Sequence, residues 1–366
     1  MKLAKNMTEG NIYKSFLVFS LPLIFSLLLS QAYSTIDAVI AGKFISENAL
    51  GAISATGSYE LLLQSLFSGF AAGFGIYIAQ QFGKGDFAAL KQDVVSMGII
   101  IVSLAGVISL VTILLRSPIL DYLKVDPILR ADAQTYFVIF TAGYALVYLN
   151  LLLGQVLYAM GITSVSLWVS FLSAAVKICG NLLSVLVFDL GVAGLAFVTL
   201  LSAATTTVCY LFVLGKAFRE LDSQKLPFRF RFSCIKNSIR YTLPAAVQQA
   251  AFHGVGLLIA PTVNALGAAA TTAFNVSNRI YNIGTVSMWS VTNAFNSYTA
   301  QCVGKGDYKK LGAGIKAGFL LNIVMLLPVV LLLSLFAGAV VSMPMSMAVC
   351  KETIVPGAIA RVSLQT

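Results

Sequence analysis

Charge is what this sequence has least of. Only 10% of its 366 residues are Asp, Glu, Lys or Arg, against roughly a quarter in ordinary soluble domains. Acids are the scarcer sign, 14 against 24 basic residues, and His253 is the single histidine. A chain so poor in charge cannot cover a solvated surface, and 58% of it is hydrophobic. The same shortages narrow the chemistry. No HExxH, no GxSxG and no acid pair spaced for metal ligation occurs, which argues against a membrane-embedded enzyme. The five cysteines (Cys179, Cys209, Cys234, Cys302, Cys350) form no CxxC pair, so neither a disulfide framework nor a metal site is expected. No cofactor is implied.

What the sequence has instead is a succession of apolar stretches of twenty or more residues, each able to cross about 30 Å of hydrocarbon as a helix. About nine spans are predicted, near 13–42, 50–82, 94–115, 134–159, 164–187, 192–215, 240–261, 270–301 and 314–341. The first, starting near Tyr13, is too long for a cleavable signal and lacks a small-residue cleavage site. The net charge of +10 could suggest nucleic acid, but its placement points to a bilayer. With the N-terminus inside, 16 of the 24 basic residues fall on cytoplasmic segments and six on outer ones, the positive-inside pattern. The basic run from Lys216 to Arg240 then reads as an orienting loop facing lipid headgroups. The expectation is a multi-pass plasma membrane protein with no nucleic-acid partner.

Two stretches repeat. AQQFGKGDFAAL, from Ala79, returns as AQCVGKGDYKKL, from Ala300, at an offset of 301 − 80 = 221 residues. Upstream, Ser20-Leu21-Pro22 pairs with Thr242-Leu243-Pro244 at 242 − 20 = 222, one residue off that spacing. Six predicted spans separate the two GKGD turns, so both lie on one side and the repeats are parallel, related by an axis along the membrane normal. Each GKGD reads as a tight turn in which glycine supplies positive φ and Asp86 or Asp307 caps the next helix. It lacks the spacing of a phosphate-binding GxxxxGKS/T loop. The expected organisation is a six-helix N-terminal lobe over 1–220, a cytoplasmic linker over 221–235 containing Pro227, and a partial C-terminal lobe of about three helices over 236–366. A full second repeat would end near residue 215 + 221 = 436, so the second lobe reads as incomplete.

YSTIDAVIAGKFISENALGAISATG resembles the first-helix signature of multidrug and toxic compound extrusion (MATE) transporters. GQVLYAMGITSVSLWVSFLSAAVKICGNLL with GVAGLAFVTLLS is similar to that family's helices four to six, and SNRIYNIGTVSMWSVTNAFNSYTAQCVGKGD to its eighth helix and following turn. The resemblance covers Asn11 to about Val341. It implies an all-helical, two-lobed antiporter that exports small organic compounds, often cationic, in exchange for Na⁺ or H⁺ by alternating access. It would act as a monomer if full length.

The intramembrane polar residues name the candidate site. Asp37 leads, because a carboxylate within a span is costly unless it faces a wet cavity or a partner. Ser26, Ser30, Tyr33 or Ser34, and Asp37 recur at helical spacing and so share one face. The resemblance also places its first-helix acid at Asp37. On the fifth span Ser170, Ser173, Lys177, Asn181 and Ser184 form a second stripe. Asn181 matches the family's helix-five asparagine, able to coordinate a cation or to hydrogen-bond Asp37. Four residues on, Val185 stands where many members carry an aspartate. Glu60 could supply the missing second carboxylate, or lie near the headgroups. Lys177 could pair with Asp37 or Glu60, or snorkel. Gln155 and Thr199 are candidates for cavity lining or for helix-packing hydrogen bonds. Tyr33, Tyr59, Phe70, Phe74, Tyr281 and Trp289 could stack on flat cations. Two other functions remain at this point: a lipid-linked saccharide flippase of the same superfold, and a truncated, inactive remnant.

Overall fold

The computed structural model describes residues 4–335 apart from 5, 41–43, 46, 124, 222–229 and 266–267. Side chains at 34, 38–39, 47–50, 54–55, 58, 256–283, 329–330 and 332–335 also lie outside the described set. Among the described residues there are helices and no strand. They are α1 (Ile12–Ile40), α2 (Glu47–Lys84), α3 (Phe87–Leu114), α4 (Arg116–Tyr122), α5 (Arg130–Ala142) and α6 (Tyr144–Ala159). Then follow α7 (Ser164–Leu186), α8 (Gly191–Leu221), α9 (Ser233–Ala265), α10 (Ala268–Lys305) and α11 (Tyr308–Leu335). A helix is the form that lets a lipid-embedded segment satisfy its own backbone polar groups. Six of these helices are long and apolar enough to cross a membrane.

The fourth expected span differs from its prediction. It is broken into α5 and α6, inclined by 50°, where the Gly143 amide bonds back to Phe140 O at 3.0 Å instead of one residue further. That three-residue closure tightens the turn and lets the axis change direction. Counted as one bent span, the pair is the seventh. At 33 and 38 residues, α9 and α10 extend about 50 and 57 Å.

The two repeats exchange partners. Among the described residues the broadest helix interface joins α2 to α9, while α1 packs along α10 and α7. The first helix of each repeat therefore leans on the second helix of the other. Phe16, Phe19 and Leu23 of α1 share a core with Val291, Ala294 and Tyr298 of α10. The aligned Ser20 and Thr242 both work at these seams: Ser20 Oγ donates to Ser290 O at 3.5 Å, and Thr242 backs onto Gly73 of α2.

The doubled GKGD stretch marks the crossing of α2 and α10. Gly85 and Gly306 adopt φ of +79° and +76°, and Asp86 and Asp307 each accept the backbone N–H three residues on, Ala89 and Lys310, at 3.1 Å. The turn-and-cap expectation holds in both copies. Just upstream, a Cβ at Gly83 would collide with the backbone of Gln301, and one at Gly304 with the backbone of Gln80. The partner glutamines are engaged too. Gln80 Oε1 accepts from Tyr241 OH at 2.9 Å. The buried Gln301 donates to Ala159 O at 2.9 Å and accepts the Met7 N–H at 2.9 Å. This end of the bundle is closed by contacts between the repeats.

The expected linker over 221–235 falls mostly on residues outside the described set. At its described end one residue, Arg231, departs from the reading of the basic run as a headgroup-facing loop. The Arg231 guanidinium turns inward to lie 3.5 Å from the buried Asp93 of α3, which also accepts from Tyr77 OH at 2.7 Å. The Arg231 amide donates to Ser96 Oγ at 3.0 Å. A buried carboxylate demands a counter-charge, and the entry into α9 supplies it.

Because the α2–α10 crossing has no room for a side chain, Gly304→Ala is expected to destabilise the protein by about 1–3 kcal/mol. Gly312→Ala, within α11 where a Cβ meets open space, should be neutral to stabilising, by up to about 1 kcal/mol. Thermal unfolding of both variants in detergent micelles measures the contrast.

Candidate functional site

α1 and α7 run in parallel away from the closed end, and polar side chains pin their seam. Ser26 Oγ and Ser170 Oγ lie 2.5 Å apart. Eleven residues further along both helices (37 − 26 and 181 − 170), about three turns, Asp37 meets Asn181. Asp37 Oδ1 accepts from Asn181 Nδ2 at 2.7 Å, and Oδ2 pairs with Lys177 Nζ at 2.5 Å. Lys177 Nζ also lies 5.1 Å from the centre of the Tyr33 ring, close enough for a cation–π contact. The two charged side chains keep 16% and 21% of their exposure, so the pair is sheltered but reachable by water. Asn181 is buried, and its amide oxygen has no hydrogen-bond partner. With its N–H given to Asp37, the residue holds an unused acceptor beside the carboxylate.

These groups line a cavity of about 620 Å³ bounded by α1, α2, α5, α6, α7 and α8. Its volume falls in the range that encloses drug-sized molecules. Glu60 enters from α2 on the face shared with Ile53 and Gln64. Thr56 Oγ1 stands 3.1 Å from Glu60 Oε1 and equally 3.1 Å from Ile53 O. One hydroxyl proton serves only one of these acceptors at a time. Lys177 therefore meets Asp37, and Glu60 shares the chamber.

The remaining sequence candidates divide. Tyr33 lines the cavity, and the side chain of Ser34 lies outside the described set. Thr199 lines it and also donates to Leu195 O at 2.9 Å, so lining and helix bonding are both true. Gln155 does not reach it. It borders a neighbouring cavity of about 340 Å³ nearer the closed end, which shares Ser30, Tyr33, Asn150 and Ser173 with the first. Val185 packs with Ile40 and Leu195 in an apolar cluster. Of the aromatic candidates, Phe74 is core and Tyr59 bonds Thr112 at 2.8 Å.

Several lining residues were absent from the sequence reading: Gln64, Asn150, Thr206, and the aromatic pair Tyr136 and Phe140. The two rings stack with centroids 5.7 Å apart and planes 7° from parallel. Asn150 carried a signal, an amide interrupting an apolar run. It donates to Ala203 O at 2.9 Å and accepts from Thr207 Oγ1 at 2.7 Å. Tyr136 and Phe140 carried none, since any apolar run offers such rings. No cluster able to hold a metal occurs among the described residues.

Comparison with known families decides the class. The MatE family model matches residues 22–183 and 244–351, both halves of the chain. The chain belongs to the MatE family. Members of this family are membrane-embedded efflux transporters, not enzymes. A Bacillus subtilis relative named "Probable multidrug resistance protein YpnP" is 25% identical over 310 residues, 84% of this chain and 69% of the relative. "Multidrug export protein MepA" of Staphylococcus aureus is 27% identical over 214 residues, 57% of this chain and 46% of that one. A solved outward-facing structure of a multidrug resistance MATE family transporter superposes with a TM-score of 0.84 at 19% identity, covering 92% of this chain and 75% of the other. The MATE fold thus covers 92% of the chain, and its two-lobed plan accounts for the parallel repeats.

The Asp37–Lys177 pair is partly sheltered, so its strength should fall between that of exposed and buried pairs. A double-mutant cycle with Asp37→Asn and Lys177→Met is expected to give a coupling of about 1–3 kcal/mol in thermal unfolding. A coupling below about 0.3 kcal/mol would mean that the pair does not hold α1 to α7.

Proposed function

We propose that this MATE protein exports organic, cationic or amphipathic compounds in exchange for protons, with Asp37 as the coupling carboxylate. It works as a single copy in the plasma membrane. The N-terminus and the GKGD turns lie inside, and the 620 Å³ chamber serves the outer half.

The observation that carries this reading is the complete engagement of Asp37. One oxygen is held by an amide and the other by an ammonium. A hard cation such as Na⁺ binds where several oxygens are free to surround it, and would have to expel the Lys177 ammonium first. A proton needs only to neutralise the carboxylate. Asn181 can serve both states, because it is donor and acceptor at once. Its N–H faces the carboxylate, and after an amide rotation its unused oxygen would accept from the protonated acid. Protonation also dissolves the ion pair between α1 and α7 and frees Lys177 into the chamber. A proton is thereby converted into a change in helix contact and cavity charge, which alternating access requires.

The saccharide flippase reading fares worse on charge. A pyrophosphate would meet two carboxylates, while the one lysine among the described lining residues is already spent on Asp37.

In proteoliposomes, an imposed proton gradient is expected to drive ethidium transport, and a Na⁺ gradient of equal size is not. Asp37→Asn should cut the proton-driven rate at least about tenfold, a loss of roughly 1.4 kcal/mol of driving interaction or more. Sodium-driven transport, or an unchanged rate in the variant, would overturn the assignment. No transport under either gradient would favour the inactive-remnant reading.

A further inference from the structure

We infer that Glu60, not Asp37, anchors the positive charge of the transported compound. The inference rests on reading the chamber as a transport site. Within it the charges are unequal in their commitments. Asp37 and Lys177 neutralise each other across a direct ion pair. The carboxylate of Glu60 has no ion pair among the described residues, and its one hydrogen bond comes from the Thr56 hydroxyl, which Ile53 O contests at the same distance. The chamber therefore holds one carboxyl group with no counter-charge among the described residues, and it resides on α2. A carboxylate in so sheltered a place is stabilised chiefly by a cation arriving from outside.

The surroundings suit an organic cation better than a bare metal ion. Thr56 gives Glu60 its hydrogen bond among the described residues, and no cluster of His, Cys, Asp or Glu able to hold a metal is present there. The stacked rings of Tyr136 and Phe140 line the same chamber and offer the broad apolar area that a flat or amphipathic cation requires. A monovalent organic cation can thus place its charge at Glu60 and its hydrocarbon against α5 without disturbing the Asp37 pair. The arrangement separates two tasks on two helices: cargo on α2, coupling between α1 and α7.

The test is equilibrium binding to the whole purified chain in detergent, with ethidium and tetraphenylphosphonium as permanent cations and Nile red as an uncharged probe. Glu60→Gln keeps the volume and the Thr56 hydrogen bond, and should raise the Kd for both cations about tenfold. Nile red should bind within about twofold of the unaltered protein, which also reports an intact fold. Glu60→Asp should fall between the two. The charge-balanced double variant Asp37→Asn/Lys177→Met should retain cation affinity within about threefold while losing proton-driven efflux.

Unchanged cation affinity in Glu60→Gln, or a loss of the same size for the cations and Nile red, would overturn the inference. So would loss of cation binding in the double variant with Glu60→Gln unaffected; that result would make Asp37 the anchor and leave the antiport reading standing. Failure of proton-driven transport together with a cation-selective Glu60 effect would refute the coupling scheme and keep the anchor.

Discussion

A carboxylate placed inside a membrane must be compensated, and the architecture around Asp37 follows from that cost. The free energy of stripping water from a charge is several kcal/mol even after relaxation, so α1 can hold Asp37 at this depth only if a neighbour answers it. α7 answers with an ammonium and an amide. The Ser26–Ser170 contact three turns earlier keeps the two helices in the register that makes the answer possible. Sliding either helix by one residue would turn Lys177 and Asn181 off the shared face. The seam is thus structural, and under the proposed proton coupling it is also the mechanism, since a change in the charge on Asp37 would change what holds α1 to α7.

The opposite end of the bundle is governed by close packing. α2 and α10 touch backbone to backbone at Gly83 and Gly304, and each repeat's first helix leans on the other repeat's second. In lipid there is little hydrophobic force between helices, so association relies on close approach and hydrogen bonds. The glutamines Gln80 and Gln301 and the buried Asp93, answered by Arg231, supply the bonds. A tight crossing lies at one end and a polar-lined chamber towards the other, an arrangement compatible with lobes that rock about a shared site.

Much of this was legible in the chain. The apolar runs marked most of the helices, because length and hydropathy are local properties. The bend at Gly143 escaped, since it arises from a single hydrogen-bond shift inside an otherwise apolar run. The polar stripes of α1 and α7 named Asp37, Lys177 and Asn181, because the bilayer makes any polar residue conspicuous. Rings are not conspicuous in such a sequence, so Tyr136 and Phe140 were missed, while Gln155, left open between cavity lining and helix packing, borders the adjoining cavity. The basic run before α9 had been read as loop charge, yet Arg231 answers Asp93, a partner 138 residues away (231 − 93) that no local pattern reveals.

The sequence by itself determined the class: too few charges for water, helices long enough for a bilayer, and a repeat whose even spacing makes the two halves parallel. It also determined the turns, since φ near +79° and +76° at Gly85 and Gly306, and the caps at Asp86 and Asp307, depend only on neighbours within three residues. Tertiary structure decided which charges meet. Lys177 had two carboxylates within its possible reach, and only the parallel register of α1 and α7 gave it to Asp37 and left Glu60 without an ion pair among the described residues. The physical reason is range: a helix propensity or a turn is settled over a few residues, whereas pairing a charge is settled by whichever segment, however distant in the chain, arrives within a few ångströms.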